Sequence, residues 1–163
     1  MGFGAPVALG AKLARPDKVV IALVGDGGFG QNPAMLATAV EENIPVVWVI
    51  MNNYAYGTIA GLEMAHYGTA FGCVFKRDGK PYSPDFAAIA RAYGAEGAQI
   101  SSAEEFKPTL ERAIKSRRPF VIDVAMMNEP VPTGGHWNIN EIYSPDRVAS
   151  HVAVDHAQEV VAK

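Results

Sequence analysis

Cysteine is nearly absent from this chain: of 163 residues, only Cys73 carries a thiol. No intrachain disulfide can form, and no thiolate zinc site can be built from the chain alone, which suits a reducing cytoplasm. Basic charge is equally short. With 14 Lys and Arg against 17 Asp and Glu the formal charge is -3, so there is no positive field for a phosphate backbone and nucleic acid is excluded as the main partner. No apolar run reaches the length that spans a bilayer, and the first residues lack the basic stretch, apolar core and cleavage site of an export signal. The expected location is cytoplasmic, with no membrane partner. Repeats and low-complexity tracts are missing too. What remains is an ordinary globular composition, 49% hydrophobic and 19% charged, in a length that suits one core and is short for two. A small ligand or another protein is the expected partner.

Short β-branched runs alternate with helical stretches, the pattern of an α/β domain in which a parallel sheet carries helices on both faces. Small and aliphatic residues at helical spacing predict a helix over 5–14, stopped before Pro16. After Lys18, residues 19–24 are an unbroken apolar run, the signature of a strand buried on both faces. Asn32 is expected to cap a helix that begins at Pro33, with Met35, Leu36, Ala39 and Val40 on one face and Glu42 and Asn43 at its end. A second strand is expected over 44–51, a short helix from Gly57 to about Met64, and a loop over 68–82. Ser83 and Pro84 predict a helix over 84–93, with Phe86, Ile89 and Ala90 inward and Gly94 as its stop. Three more elements complete the pattern: a strand over 97–100, a helix opened by a capping box between Ser102 and Glu105 and reaching about Arg117, and a strand over 120–125. The tail mixes proline, glycine and polar residues before an expected helix over 155–161.

Gly25-Asp26-Gly27-Gly28-Phe29-Gly30 has the G-x-G-x-x-G spacing of a dinucleotide fingerprint between a strand and a helix. Two features count against a nicotinamide or flavin site. Such a site wants an acid on the ribose near the end of the second strand, yet no Asp or Glu occurs between Asn43 and Leu62. Asp26 also lies inside the loop that would approach a pyrophosphate, where a bare carboxylate repels the ligand. A hard divalent cation between them removes the conflict, because magnesium and calcium take carboxylate, amide, main-chain and phosphate oxygens. Asp26 and Asn53, at the carboxyl ends of two strands joined by one helix, are the natural ligands. Taken singly, Asp26 also fits a turn residue and Asn53 a helix cap; taken together at matched strand ends they favour the metal. Gly27 and Gly28 would let main-chain donors reach phosphate oxygens, or would serve a tight turn only.

These residues resemble a known family. Gly25-Asp26-Gly27, residues 28–51 and Asn52-Asn53 are similar to the thiamine-diphosphate motif that begins GDG and ends NN. Met1-Gly2-Phe3-Gly4-Ala5-Pro6 with Gly10-Ala11 resembles the MGxGxPxxxGA segment of acetolactate-synthase-like enzymes. Leu36-Ala37-Thr38-Ala39 resembles their LxTA helix, and Asn52-Asn53-Tyr54-Ala55-Tyr56-Gly57 fits NNxxYG. The resemblance covers residues 1 to about 126, so 1–126 is the expected diphosphate- and metal-binding domain and 127–163 a C-terminal tail. It implies the thiamine-diphosphate-binding fold, with thiamine diphosphate and Mg2+ as cofactors. Carried over by position, Asp26 and Asn53 would bind the metal by side chain and Ala55 by its main-chain carbonyl. Met1, Gly2, Gly25, Gly27, Gly28, Asn53, Tyr56 and Gly57 would contact the cofactor, Met1 matching the apolar residue under the thiazolium ring that keeps the cofactor bent.

The resemblance further implies decarboxylation of a small 2-oxo acid, the fragment being released as an aldehyde or joined to a second carbonyl. In this family the cofactor is activated by a glutamate on a pyrimidine-binding domain, contributed across a subunit interface. No counterpart stands in this chain, so no catalytic residue is assigned to it. The expected partner is a pyrimidine-binding domain or subunit within a homo- or hetero-oligomer, and the chain alone is expected to be inactive. Rivals are a non-catalytic or split cofactor-binding subunit and, further off, an NAD- or FAD-dependent oxidoreductase.

Some positions depart from the family pattern. Met35 stands where glutamate is common. Thr58 and Leu62 replace the methionine and tryptophan of branched-chain acetolactate synthases, so strict acetohydroxyacid specificity is not expected. Thr58, Ile59 and Leu62 either border the substrate pocket or pack a helix for stability alone. His136 and Trp137, after Gly134-Gly135, suit either a lid or a packed tail. His66, His151 and His156 carry no motif and receive no role.

Overall fold

Trp48 shows how the layers are tied. It is fully buried, and its indole N–H donates to the carbonyl of Ala5 at 2.9 Å, joining the first helix to the second strand of the main sheet. The computed structural model describes residues 1–127; the helix expected over 155–161, His136 and Trp137 lie outside them. The elements are α1 (Gly4–Ala14), β1 (Val20–Gly25), α2 (Asp26–Phe29), α3 (Met35–Glu41), β2 (Val46–Asn52), α4 (Gly57–Tyr67), β3 (Lys76–Arg77), β4 (Lys80–Pro81), α5 (Phe86–Ala92), β5 (Glu96–Ile100), α6 (Ala103–Ser116) and β6 (Phe120–Ala125).

The main sheet has the order β1-β2-β6-β5, and every pairing in it is parallel. Its register sets Val24 beside Ile50, and Ile50 beside Asp123. One face packs on α1, α3 and α5 through Leu9, Phe29, Leu36, Trp48, Phe86 and Val121. The other packs on α6, whose Phe106, Leu110, Ala113 and Ile114 recur at helical spacing over Val47, Val49, Phe120 and Ile122. The expected parallel α/β architecture with helices on both faces is what forms.

Five local expectations are corrected. β1 is an edge strand and is not buried on both faces: Val20, Ala22 and Val24 turn inward, while Val19, Ile21 and Leu23 stay exposed. α6 covers the strands further in, and among the described residues nothing covers that outer face. Asn32 does not cap by its side chain; Pro33 and Ala34 form a turn and α3 begins at Met35 without a side-chain cap. α5 is capped by Asp85, whose side chain accepts the Ala88 N–H at 2.7 Å, so it starts after Ser83 and Pro84. The expected loop over 68–82 contains the β3–β4 hairpin, turned by Asp78 and Gly79 at φ 53° and 76°. α4 also runs a turn beyond Met64, to Gly68 in the left-handed region. The Ser102–Glu105 capping box and the strand over 120–125 form as expected.

Candidate functional site

β1 ends at Gly25 in extended geometry, and the chain turns at once into the single helical turn α2. The glycine segment is thus a helix start rather than an open loop. Asp26 heads this turn, is 3% exposed, and receives two backbone donors: the Gly27 N–H on Oδ1 at 2.8 Å and the Ala55 N–H on Oδ2 at 3.1 Å. Burial pushes the Asp26 carboxyl above its ordinary pKa, and the N–H groups of Gly27 and Ala55 recover part of that shift. The site therefore holds an acid short of positive charge.

Gly27 is required for space, since its φ is not left-handed. A Cβ there would lie 2.2 Å from the Tyr56 ring, whereas at Gly28 it would meet nothing within 4 Å, leaving that side of the turn open. On the opposing segment, Tyr54 adopts φ 59°. Its carbonyl accepts the Phe75 N–H at 2.8 Å, and the Tyr56 N–H donates to the Cys73 carbonyl at 2.8 Å. The Tyr56 ring stacks edge-on against Phe75 at 4.8 Å. Residues 73–75 thus brace the strip that carries Asn53, Ala55 and Tyr56. Cys73 itself is buried, its Sγ donating to Glu63 Oε2 at 3.1 Å, and burial pushes its thiol up. Such a thiol is a packing group rather than a nucleophile.

These pieces enclose a cleft of about 750 Å3 at the carboxyl ends of β1 and β2. Met1, Gly2, Gly25, Asp26, Gly27 and Gly28 line one side. Asn53, Ala55, Tyr56, Gly57 and Thr58 line the other, with Met126 and Met127 at the rim. Every candidate metal and cofactor residue from the sequence therefore meets in one place. Leu62 does not border the cleft; Ile59, one turn earlier on α4, does. A second cleft of about 760 Å3 at the amino ends of the strands, lined by Lys12, Lys18, Ile44 and Arg118 among others, touches none of those candidates.

Among the described residues no three His, Cys, Asp or Glu side chains gather as a metal cage. A cation here would draw on one carboxylate, an amide and a main-chain oxygen, leaving its other positions to ligand and water. The donor set fits that demand. Each Asp26 oxygen keeps a lone pair beyond its N–H partner, and no hydrogen bond among the described residues ends on the Asn53 side-chain oxygen or the Ala55 carbonyl. The candidate ligand atoms are all hard oxygens.

Two polar residues stand behind the cleft: Asn52, the first residue of the NN motif, and Asp123, which belongs to no motif. Asn52 and Asp123 are both fully buried, and Asn52 Nδ2 donates to Asp123 Oδ1 at 3.0 Å. The signal for Asp123 was present: an acid in the middle of the apolar run Phe120-Val121-Ile122-Asp123-Val124. Its partner was not visible, because the pair forms across β2 and β6.

Comparisons with known proteins agree with this geometry. Residues 1–124 match the family model described as thiamine pyrophosphate enzyme, C-terminal TPP binding domain. A probable acetolactate synthase large subunit of Methanocaldococcus jannaschii is 36% identical over 98% of this chain and 27% of its own length. A 3D-(3,5/4)-trihydroxycyclohexane-1,2-dione hydrolase of Halalkalibacterium halodurans is 32% identical over 100% of this chain and 26% of its own. In structure, the thiamine diphosphate-dependent 4-hydroxybenzoylformate decarboxylase of Rhodococcus jostii RHA1 superposes with a TM-score of 0.71 at 33% identity, over 80% of this chain and 24% of that one. The chain spans about a quarter of the length of these relatives. It belongs to the thiamine pyrophosphate enzyme family, as a C-terminal TPP-binding domain with acetolactate-synthase-like relatives.

Proposed function

We propose that this chain supplies the diphosphate-binding half of a thiamine-diphosphate- and Mg2+-dependent 2-oxo acid decarboxylase or carboligase. The observation that carries the reading is Asp26: a buried carboxylate at the head of the turn after β1, hydrogen-bonded to Ala55 and sharing its cleft with Asn53. Asp26 and Asn53 by side chain and Ala55 by its carbonyl would hold the cation. Gly25 and Gly28 keep the approach to it free of side chains, while Gly27 makes room for the Tyr56 ring. Met1, Gly2, Tyr56 and Gly57 border the rest of the cofactor, and Thr58 with Ile59 the substrate side. When bound, thiamine diphosphate would supply a nucleophilic thiazolium carbon and, in its cationic ring, the sink for the electron pair left as carbon dioxide departs.

The partner in this reading is a pyrimidine-binding domain or subunit carrying the activating glutamate, within a homo- or hetero-oligomer. Exposed apolar side chains support it: Met1 and Met127, which line the cleft, and Phe3 beside Gly2 and Gly4 are each more than 70% exposed. The relatives' names include a synthase, a hydrolase and a decarboxylase, so what they share is the cofactor rather than one substrate. Calorimetric titration of the chain with thiamine diphosphate and magnesium tests the assignment. Asp26→Ala or Asn53→Ala should weaken binding by more than about a hundred-fold, beyond the usual cost of losing an outer-sphere partner. Tight binding of a nicotinamide cofactor without metal would instead support the oxidoreductase rival.

A further inference from the structure

Asp123 Oδ2 is the one buried side-chain polar atom among the described residues that has no hydrogen-bond partner, while Oδ1 accepts from Asn52. A buried acid of this kind costs stability unless something is gained from it. Its neighbourhood shows what that is. Asn52 Nδ2 has two hydrogens, one directed to Asp123 Oδ1 at 3.0 Å and the other to Ser83 Oγ at 2.6 Å. The Ser83 hydroxyl donates onward to the Pro84 carbonyl at 3.0 Å, so its oxygen is committed as an acceptor toward Asn52. With two acceptors on one side, the Asn52 amide has a single satisfactory orientation: Oδ1 must face the other way.

There it accepts the Tyr54 N–H at 3.3 Å, while the Asn52 main-chain carbonyl takes the Met126 N–H at 2.8 Å. The side-chain bond closes a turn over Asn53 and holds Tyr54 at φ 59°, a conformation costly for a non-glycine residue. That left-handed residue aims the next peptide so that the Ala55 N–H reaches Asp26 Oδ2. Resting on the cofactor assignment above, we propose that Asp123 is a positioning residue: by fixing the Asn52 amide it holds the Tyr54 turn, and with it the Asn53 and Ala55 oxygens, in place opposite Asp26. Asp123 does not line the cleft.

The test uses the full chain and three versions of position 123. Asp123→Val keeps the volume and removes the acceptor; Asp123→Ala replaces it where the valine chain does not fold. Asp123→Asn retains a carbonyl for Asn52. In ligand-free protein, amide hydrogen exchange at Tyr54 and Ala55 should quicken about ten-fold or more in Asp123→Val while Trp48 and Val49 within β2 keep their protection, and Asp123→Asn should match the parent. Magnesium-dependent thiamine diphosphate affinity should follow, falling about ten- to a hundred-fold in Asp123→Val, as for other outer-sphere partners, and recovering in Asp123→Asn. Unchanged exchange at Ala55, or equal acceleration through Trp48 and Val49, would overturn the proposal by leaving only a general packing role. If the parent binds no thiamine diphosphate, the cofactor assignment fails, and the exchange measurement still decides whether Asp123 holds the turn.

Discussion

Asp26 and Asp123 are both acids inside the fold, and burial raises the pKa of each. For Asp123 the shift comes first from burial, opposed by the Asn52 hydrogen bond and the Phe86 main-chain N–H, while the nearby charges of Asp85 and Asp26 add to it. A carboxyl whose folded pKa is raised holds its proton more tightly folded than unfolded. Its contribution to stability is fully present below the ordinary carboxylate pKa of about 4 and is lost as pH rises through the folded value. Asp123→Asn has no such proton. The melting temperature of the parent minus that of Asp123→Asn should therefore fall as pH rises from about 4 toward neutrality; a difference independent of pH contradicts the assignment of a perturbed acid. At this scale the metal candidates were legible because Asp26 and Asn53 interrupt apolar runs at strand ends. Asn52 was legible as the first residue of the NN motif, Asp123 only as an acid inside an apolar run. Their meaning depends on a cross-strand register that no local pattern encodes.

Between elements, the fit of α2 against the strip after β2 is the tightest in the site. A Cβ at Gly27 would overlap the Tyr56 ring, and one at Gly57 would come 2.6 Å from Asn53 Nδ2. Gly27→Ala should therefore destabilise the chain and weaken cofactor binding together. Combining it with Tyr56→Ala should cost less than the two separate changes added, by about 0.5–3 kcal/mol of coupling in denaturant unfolding. Additive costs would mean the two segments yield independently. A second contact ties α1 to the sheet: Trp48→Phe removes the hydrogen bond to Ala5 and should lower stability by about 1 kcal/mol, more if the ring leaves a gap. Helices with strong local signals, such as the capping-box start of α6, were legible. The edge position of β1 was not, because an apolar run records a capacity for burial and not which element arrives to cover it. The β3–β4 hairpin was announced by Asp78-Gly79, yet its strands are two residues each, too short for periodicity to register.

At the scale of the whole molecule, three sequence motifs distant from one another meet: a parallel sheet sets the ends of β1 and β2 side by side, and the residues before α1 lie at the same edge. Gly25-Asp26-Gly27, Asn53 with Ala55, and Met1-Gly2 border one cleft, and the family assignment rests on more than any one of them. Among the described residues no helix is long and apolar enough to cross a membrane. In the proposed function Asp26, Asn53 and Ala55 would hold a divalent cation on which diphosphate binding would depend. Titration of the chain with thiamine diphosphate, once in magnesium and once with excess chelator, tests it most directly. The account predicts binding in magnesium that vanishes with chelator and is severely weakened by Asp26→Ala. Equal binding in both conditions, or binding that survives Asp26→Ala unchanged, would contradict it.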